Sequence, residues 1–219
     1  MISLLSGRVT LALHELRGAT NGARPLLHLH GLGLQSPASM PKELEAWTGP
    51  VYAIDFTGHG SSTIPRGGGY TPETLIGDVD AAIEHIGSDV TLIGRGLGAY
   101  VALLTAGARA DAVKGAILCD GPGIGGGGPV PGTPTVVRVD EHAPVPPDPY
   151  ALAELSKDVR PADYAVDFAR LAANANRNPF AIVARARPPW LEAVADEVGA
   201  VPTTLADALR TFSRSPGDH

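Results

Sequence analysis

The residues best placed to do chemistry lie in a glycine-rich turn and in the basic groups around it. Gly94-Arg95-Gly96-Leu97-Gly98 joins an apolar run, Val90 to Ile93, to a helical pattern covering Tyr100 to Ala108. A helix beginning near Leu97 leaves its first amides without intrahelical acceptors, and such a start favours negative charge. Arg95 stands beside the apex of the turn, and Arg185 and Arg187 follow the apolar run Phe180 to Val183. Three guanidinium groups are therefore available to meet a carboxylate or a phosphate. The same turn satisfies G-x-G-x-x-A, and Asp120 follows Gly96 by 24 residues, the distance at which a dinucleotide-binding fold places its ribose-binding acid. Further along, Asp140 and His142 stand two residues apart after Thr135 to Val139, an acid and imidazole pair beyond the turn that could activate water.

Short Val-, Ile- and Leu-rich runs recur at Arg8 to Leu13, Pro25 to Leu29, Val51 to Ile54, Val90 to Ile93, Ala116 to Cys119, Thr135 to Val139 and Phe180 to Val183. Their continuous apolar character is that of parallel strands covered on both faces. Helical patterns alternate with them. The clearest has Thr71 as N-cap and Pro72 at the first helical position, with Leu75, Val79, Ile83 and Ile86 along one face. Others cover Tyr100 to Ala108, Tyr150 to Lys157, Ala162 to Asn174, Trp190 to Glu197 and Leu205 to Phe212. The alternation predicts a doubly wound, mostly parallel α/β sheet with ligands gathered at the carboxyl ends of its strands. The 219 residues, 44% of them hydrophobic, are expected to form a single domain, 1–219. Gly121 to Pro134 and Ala143 to Pro149 read as surface loops on composition.

Composition excludes several classes of function. The 23 acidic residues outnumber 17 basic ones and both are interspersed, so no basic stripe is available for nucleic acid and no polybasic patch for a membrane. Cys119 is the only cysteine and calls for neither a disulfide nor a Cys/His metal cluster. No run approaches the ~18 apolar residues of a membrane span, and the N-terminal stretch lacks the pattern of a secretory leader, so a cytoplasmic protein is expected.

Three strand ends, in this order, resemble those of the α/β-hydrolase family. His28-Leu29-His30-Gly31-Leu32-Gly33 is similar to its HG-x-G loop, Asp55-Phe56-Thr57-Gly58-His59-Gly60-Ser61-Ser62 to its D-x-x-G-H-G-x-S turn, and Gly94 to Gly98 to its G-x-S-x-G nucleophile elbow. The resemblance implies an eight-stranded α/β-hydrolase sheet with a minimal lid. It also implies an oxyanion hole made by the Leu32 and Leu97 amides, and a catalytic acid at Asp140. It places Gly96 where the family has its serine, and the segment Ala184 to Trp190 after Phe180 to Val183, where the family has its base, holds no histidine; beyond the elbow there are only His142 and the last residue, His219. Asp55 and His59 are then a turn scaffold, and Ser36, just past the oxyanion loop, a hydrogen-bonding residue.

Three readings follow. In the first, a serine-less member binds a small anionic or carbonyl-bearing ligand at the Leu32 and Leu97 amides, with the three arginines converging on the volume the serine vacates. In the second, Asp140 or His142 activates water and the protein hydrolyses an ester or amide. The third is a dinucleotide-binding oxidoreductase. The first two call for no cofactor and no metal, and the expected partner is a small molecule.

Overall fold

The computed structural model describes residues 1–18, 22–125, 139, 145–158, 160–200 and 202–213. Its centre is a seven-stranded sheet in the order β1-β2-β4-β3-β5-β6-β7. The strands are β1 (Ile2–Ser6), β2 (Val9–Arg17), β3 (Leu26–Leu29), β4 (Val51–Asp55), β5 (Val90–Arg95), β6 (Val113–Cys119) and β7 (Phe180–Ile182). β1 and β2 run antiparallel at one edge, and all pairings from β4 to β7 are parallel. β3, β4, β5 and β6 are largely buried on both faces, which is why their sequences show no alternation.

Helices α1 (Pro72–Ile86), α2 (Leu97–Ala108), α3 (Pro149–Lys157), α4 (Ala162–Ala175) and α5 (Pro189–Val198) pack with Leu27, Leu29, Leu92 and Leu118 in the larger core. On the other face α6 (Leu205–Ser213) and a 3-10 turn at Lys42–Leu44 close over Leu26, Val51, Ile93 and Ile117. α1 starts as the sequence predicts, with Thr71 Oγ1 accepting from Thr74 N and Pro72 in the first turn. α2 is buried from Leu97 to Gly107, and a helix apolar on every side belongs in the middle of a core.

The mostly parallel α/β sheet is the expected one, and among the described residues it has seven strands where eight were expected. Of the predicted strand Thr135 to Val139 only Val139 is described, and it is in no strand. β7 pairs directly with β6. The sheet gains β1, whose short run with a single fully turned-in leucine, Leu4, and an exposed Leu5 gave too weak a pattern to read.

Candidate functional site

The turn between β5 and α2 is tight and strained in the way an elbow demands. Gly96 has φ 54° and ψ −113° at the N-cap of α2. Side chains rarely adopt that backbone, and glycine does so without a Cβ penalty. Ahead of the turn, however, the expected empty volume is filled by the chain itself. The Pro122 carbonyl accepts hydrogen bonds from Leu32 N at 3.0 Å and Leu97 N at 2.9 Å. A Cβ built on Gly96 would fall 2.5 Å from the Gly121 carbonyl oxygen and closer still to that of Pro122. The two amides that an oxyanion hole would offer are thus both engaged by a main-chain carbonyl.

The segment supplying that carbonyl, Asp120 to Gly125, is not the free loop its composition suggests. Gly121, Gly123 and Ile124 are buried. Asp120 Oδ2 and Oδ1 accept from Arg185 N and Ala186 N at 2.6 and 2.9 Å, and Trp190 Nε1 donates to Ile124 O at 3.1 Å. Trp190 in turn meets Tyr100 of α2 edge-on, with ring centroids 5.0 Å apart. Ile124 holds φ 43°, an uncommon and costly backbone for a β-branched residue. Pro122 and Trp190 are not singled out by the sequence as site residues, and Asp120 only as the ribose-binding acid of the dinucleotide reading. The available signal was a proline flanked by glycines at the carboxyl end of the strand beside the elbow.

The three arginines do not come together at this place. Arg95 lies on the opposite sheet face, its guanidinium 3.6 Å from Glu43 Oε1 beside the 3-10 turn. Arg185 is exposed and enters the site through its backbone amide alone, and Arg187 is partly exposed. The cavity beside Gly96 is only about 10 Å³ and is lined by Cys119, Asp120, Gly121, Ala186, Trp190 and others, with no arginine. Alternation along β5 turns residue 95 away from the elbow, and the acid at position 120 takes up the amides of the loop that carries the other two. Asp140 and His142 lie outside the described residues. Ser36 is buried, its amide bonded to Asp55 Oδ1 at 2.7 Å and its hydroxyl without a partner. It borders a separate cavity of about 270 Å³ with Gly33, Gly60 and Pro147. For the dinucleotide reading, both Asp120 oxygens are occupied, and Gly98 serves close packing, since a Cβ there would meet the Leu29 and His30 carbonyls.

Beneath the Leu32 loop, the Asp55 turn is a saturated polar scaffold. Asp55 accepts from Ser36 N, Ser61 N at 2.9 Å and His14 Nε2 at 3.0 Å. These bonds and the neighbouring imidazoles hold its carboxyl below the usual range against the opposing effect of burial. His30 Nε2 accepts from Phe56 N and His59 Nε2 from Gly33 N, while their Nδ1 atoms face carbonyls, so both rings are neutral in this arrangement. Burial pushes His59 down to about 3 and His30 and His28 to about 4. Asp78 accepts from the amide and hydroxyl of Thr57, yet burial raises it to about 7. Tyr70 closes the turn from above, its hydroxyl donating to Asp148 Oδ2 at 2.6 Å.

A mostly parallel sheet with an elbow after its central strand, and two facing amides beside it, defines a hydrolase-fold protein. The Alpha/beta hydrolase family model matches residues 26–218, and the chain belongs to that family. Among solved structures, Est1E from Butyrivibrio proteoclasticus, described with ferulic acid bound, is similar with a TM-score of 0.63 and 14% identity over 97% of both chains. The hypothetical protein PA1622 from Pseudomonas aeruginosa PAO1 gives 0.62 and 16% over 97% of this chain and 96% of its own. Among curated proteins, a probable alcohol acetyltransferase from Wickerhamomyces anomalus is 38% identical over 104 residues, which are 46% of this chain and 30% of that protein. This chain therefore matches less than a third of that relative's length. No helix among the described residues is long and apolar enough to cross a membrane.

Proposed function

We propose that this chain is a non-hydrolytic member of its family that binds a small carbonyl-bearing molecule at the Leu32 and Leu97 amides. The single observation that carries the reading is the Pro122 carbonyl, held by both amides in front of a Gly96 that has no side chain to attack with. The donors are those that would stabilise an oxyanion, and a catalytic apparatus of oxyanion donors without a nucleophile retains only a small part of its rate enhancement. Of the two ligand classes the sequence allows, the neutral carbonyl is favoured over the anion. Asp120 borders the cavity beside Gly96 and no arginine does.

The test is turnover of an activated ester by the purified chain, together with labelling by a fluorophosphonate. Neither a burst nor a covalent adduct is expected. Turnover that disappears in His142→Ala or Asp140→Ala would replace this reading with a water-activating hydrolase. The acetyl transfer named for the Wickerhamomyces relative is covered by adding an alcohol acceptor to the same assay. Ester product above the uncatalysed background would likewise overturn the non-hydrolytic reading.

A further inference from the structure

We propose that Asp120 to Gly125 is an autoinhibitory strap, its Pro122 carbonyl standing in for the carbonyl of a ligand, and that the Arg185 to Trp190 loop is the clamp that holds it shut. This deepens the reading above and rests on the Leu32 and Leu97 amides being the ligand site. Two donors from separate elements, the loop after β3 and the start of α2, converge on one oxygen of the chain. A peptide carbonyl so held has the environment an amide or ester substrate would have in a working member of the fold.

The strap is fixed at both ends by one short stretch. Arg185 N and Ala186 N hold the Asp120 carboxylate at its start, and Trp190 Nε1 holds the Ile124 carbonyl near its end. At the second anchor the backbone is strained, with the β-branched Ile124 at φ 43°. Strain of this kind persists only where the surroundings over-determine it, so loosening the clamp favours release. Release frees the two amides at once, because one oxygen satisfies both. The ligand class follows from the same geometry: an uncharged amide or ester carbonyl matches the present occupant, whereas a carboxylate would enter beside Asp120.

Native-state hydrogen exchange on the full chain tests this, with the Leu32 and Leu97 amides compared with those of Leu92 and Ile117 in the sheet. Trp190→Phe removes the Ile124 anchor and Asp120→Asn weakens the other. In both variants the Leu32 and Leu97 amides should exchange about tenfold faster relative to the sheet, and N-methylacetamide at about 100 mM should slow them again while sodium acetate does not. In the wild type the same two amides should open with little dependence on denaturant, a readout that stands even if Trp190→Phe does not fold. Exchange of both amides in step with the sheet makes the strap a permanent part of the core and overturns the proposal. Faster exchange that N-methylacetamide does not reverse, or that acetate reverses equally, overturns the ligand class. Ester turnover by the wild type would sink the non-hydrolytic reading and leave the exchange result standing.

Discussion

Two glycine-containing turns at strand ends, Asp55 to Ser62 after β4 and Asp120 to Gly125 after β6, solve opposite problems. The first is held by its own side chains: Asp55 gathers amides from Ser36 and Ser61, and His59 accepts from Gly33. The second has one side-chain anchor of its own, Asp120, and is otherwise placed by what it lies against, two amides and an indole. A turn that carries its own acceptors announces itself in sequence and stays put on local chemistry. A turn that borrows donors from three distant elements depends on all of them, and its conformation is conditional on their positions.

Acid should break the first region before the second, and this is the largest effect expected. His28, His30 and His59 have folded-state values of about 3 to 4, below the ordinary imidazole value, so the folded state binds fewer protons at these groups. Their stabilisation is present above pH ~6.5 and is lost as pH falls toward the folded values. Asp78, raised to about 7, works in the other direction, favouring the folded state at low pH and losing that contribution as pH rises through 7. Three imidazoles against one carboxyl leave a net uptake of about two protons on unfolding, or roughly 3 kcal/mol lost per pH unit between about 6 and 4. Urea melts at several pH values check the slope. A flat profile over that window would mean the three rings are solvated.

Gly96→Ser breaks the second region. The new side chain meets the Gly121 and Pro122 carbonyls and must adopt a positive φ, so we expect a loss of about 3 kcal/mol in urea unfolding. No esterase activity should accompany it, since the serine occupies space the strap already fills. A variant as stable as the wild type would show that the strap yields easily, and its Leu32 and Leu97 amides would then exchange fast.

How legible these regions were in the sequence follows from the same contrast. The elbow was readable because Gly94 to Gly98 sits between an unambiguous strand and an apolar helix, and α1 because Thr71, Pro72 and a leucine-isoleucine face coincide. The Asp55 scaffold was readable because aspartate and histidine state their bonding needs in their side chains. Pro122 has no side-chain donor or acceptor, and its part is played by a backbone oxygen whose partners lie 25 and 90 residues away in sequence. Nothing local marks such a contact. The arginines misled for a related reason: three basic residues at strand ends predict convergence only if strand alternation and loop direction agree, and Arg95 faces the far side of the sheet.

The smallest effect sharpens the comparison by loosening the scaffold while sparing the strap. Tyr70 reaches over the Asp55 turn, and its hydroxyl donates to Asp148 Oδ2, whose other oxygen caps α3 by accepting from Tyr150 N at 3.0 Å. Asp148 N donates to Gly58 O at 2.8 Å, so this one aspartate ties α3 to the turn. Burial and the Asp148 carboxylate both raise the Tyr70 phenol, which therefore stays protonated and donating at neutral pH. Tyr70→Phe removes that donor and leaves a buried carboxylate oxygen unpaired, a loss of about 2 kcal/mol. The cost should vanish in an Asp148→Ala background if the hydroxyl acts only through that oxygen, and a double-mutant cycle measures it. Because Tyr70 touches none of the residues from Asp120 to Gly125 by hydrogen bond, exchange at Leu97 should stay at its wild-type rate relative to the sheet. Faster exchange at Leu97 in Tyr70→Phe would mean that the two turns are coupled, and that the strap draws part of its stability from the scaffold beside it.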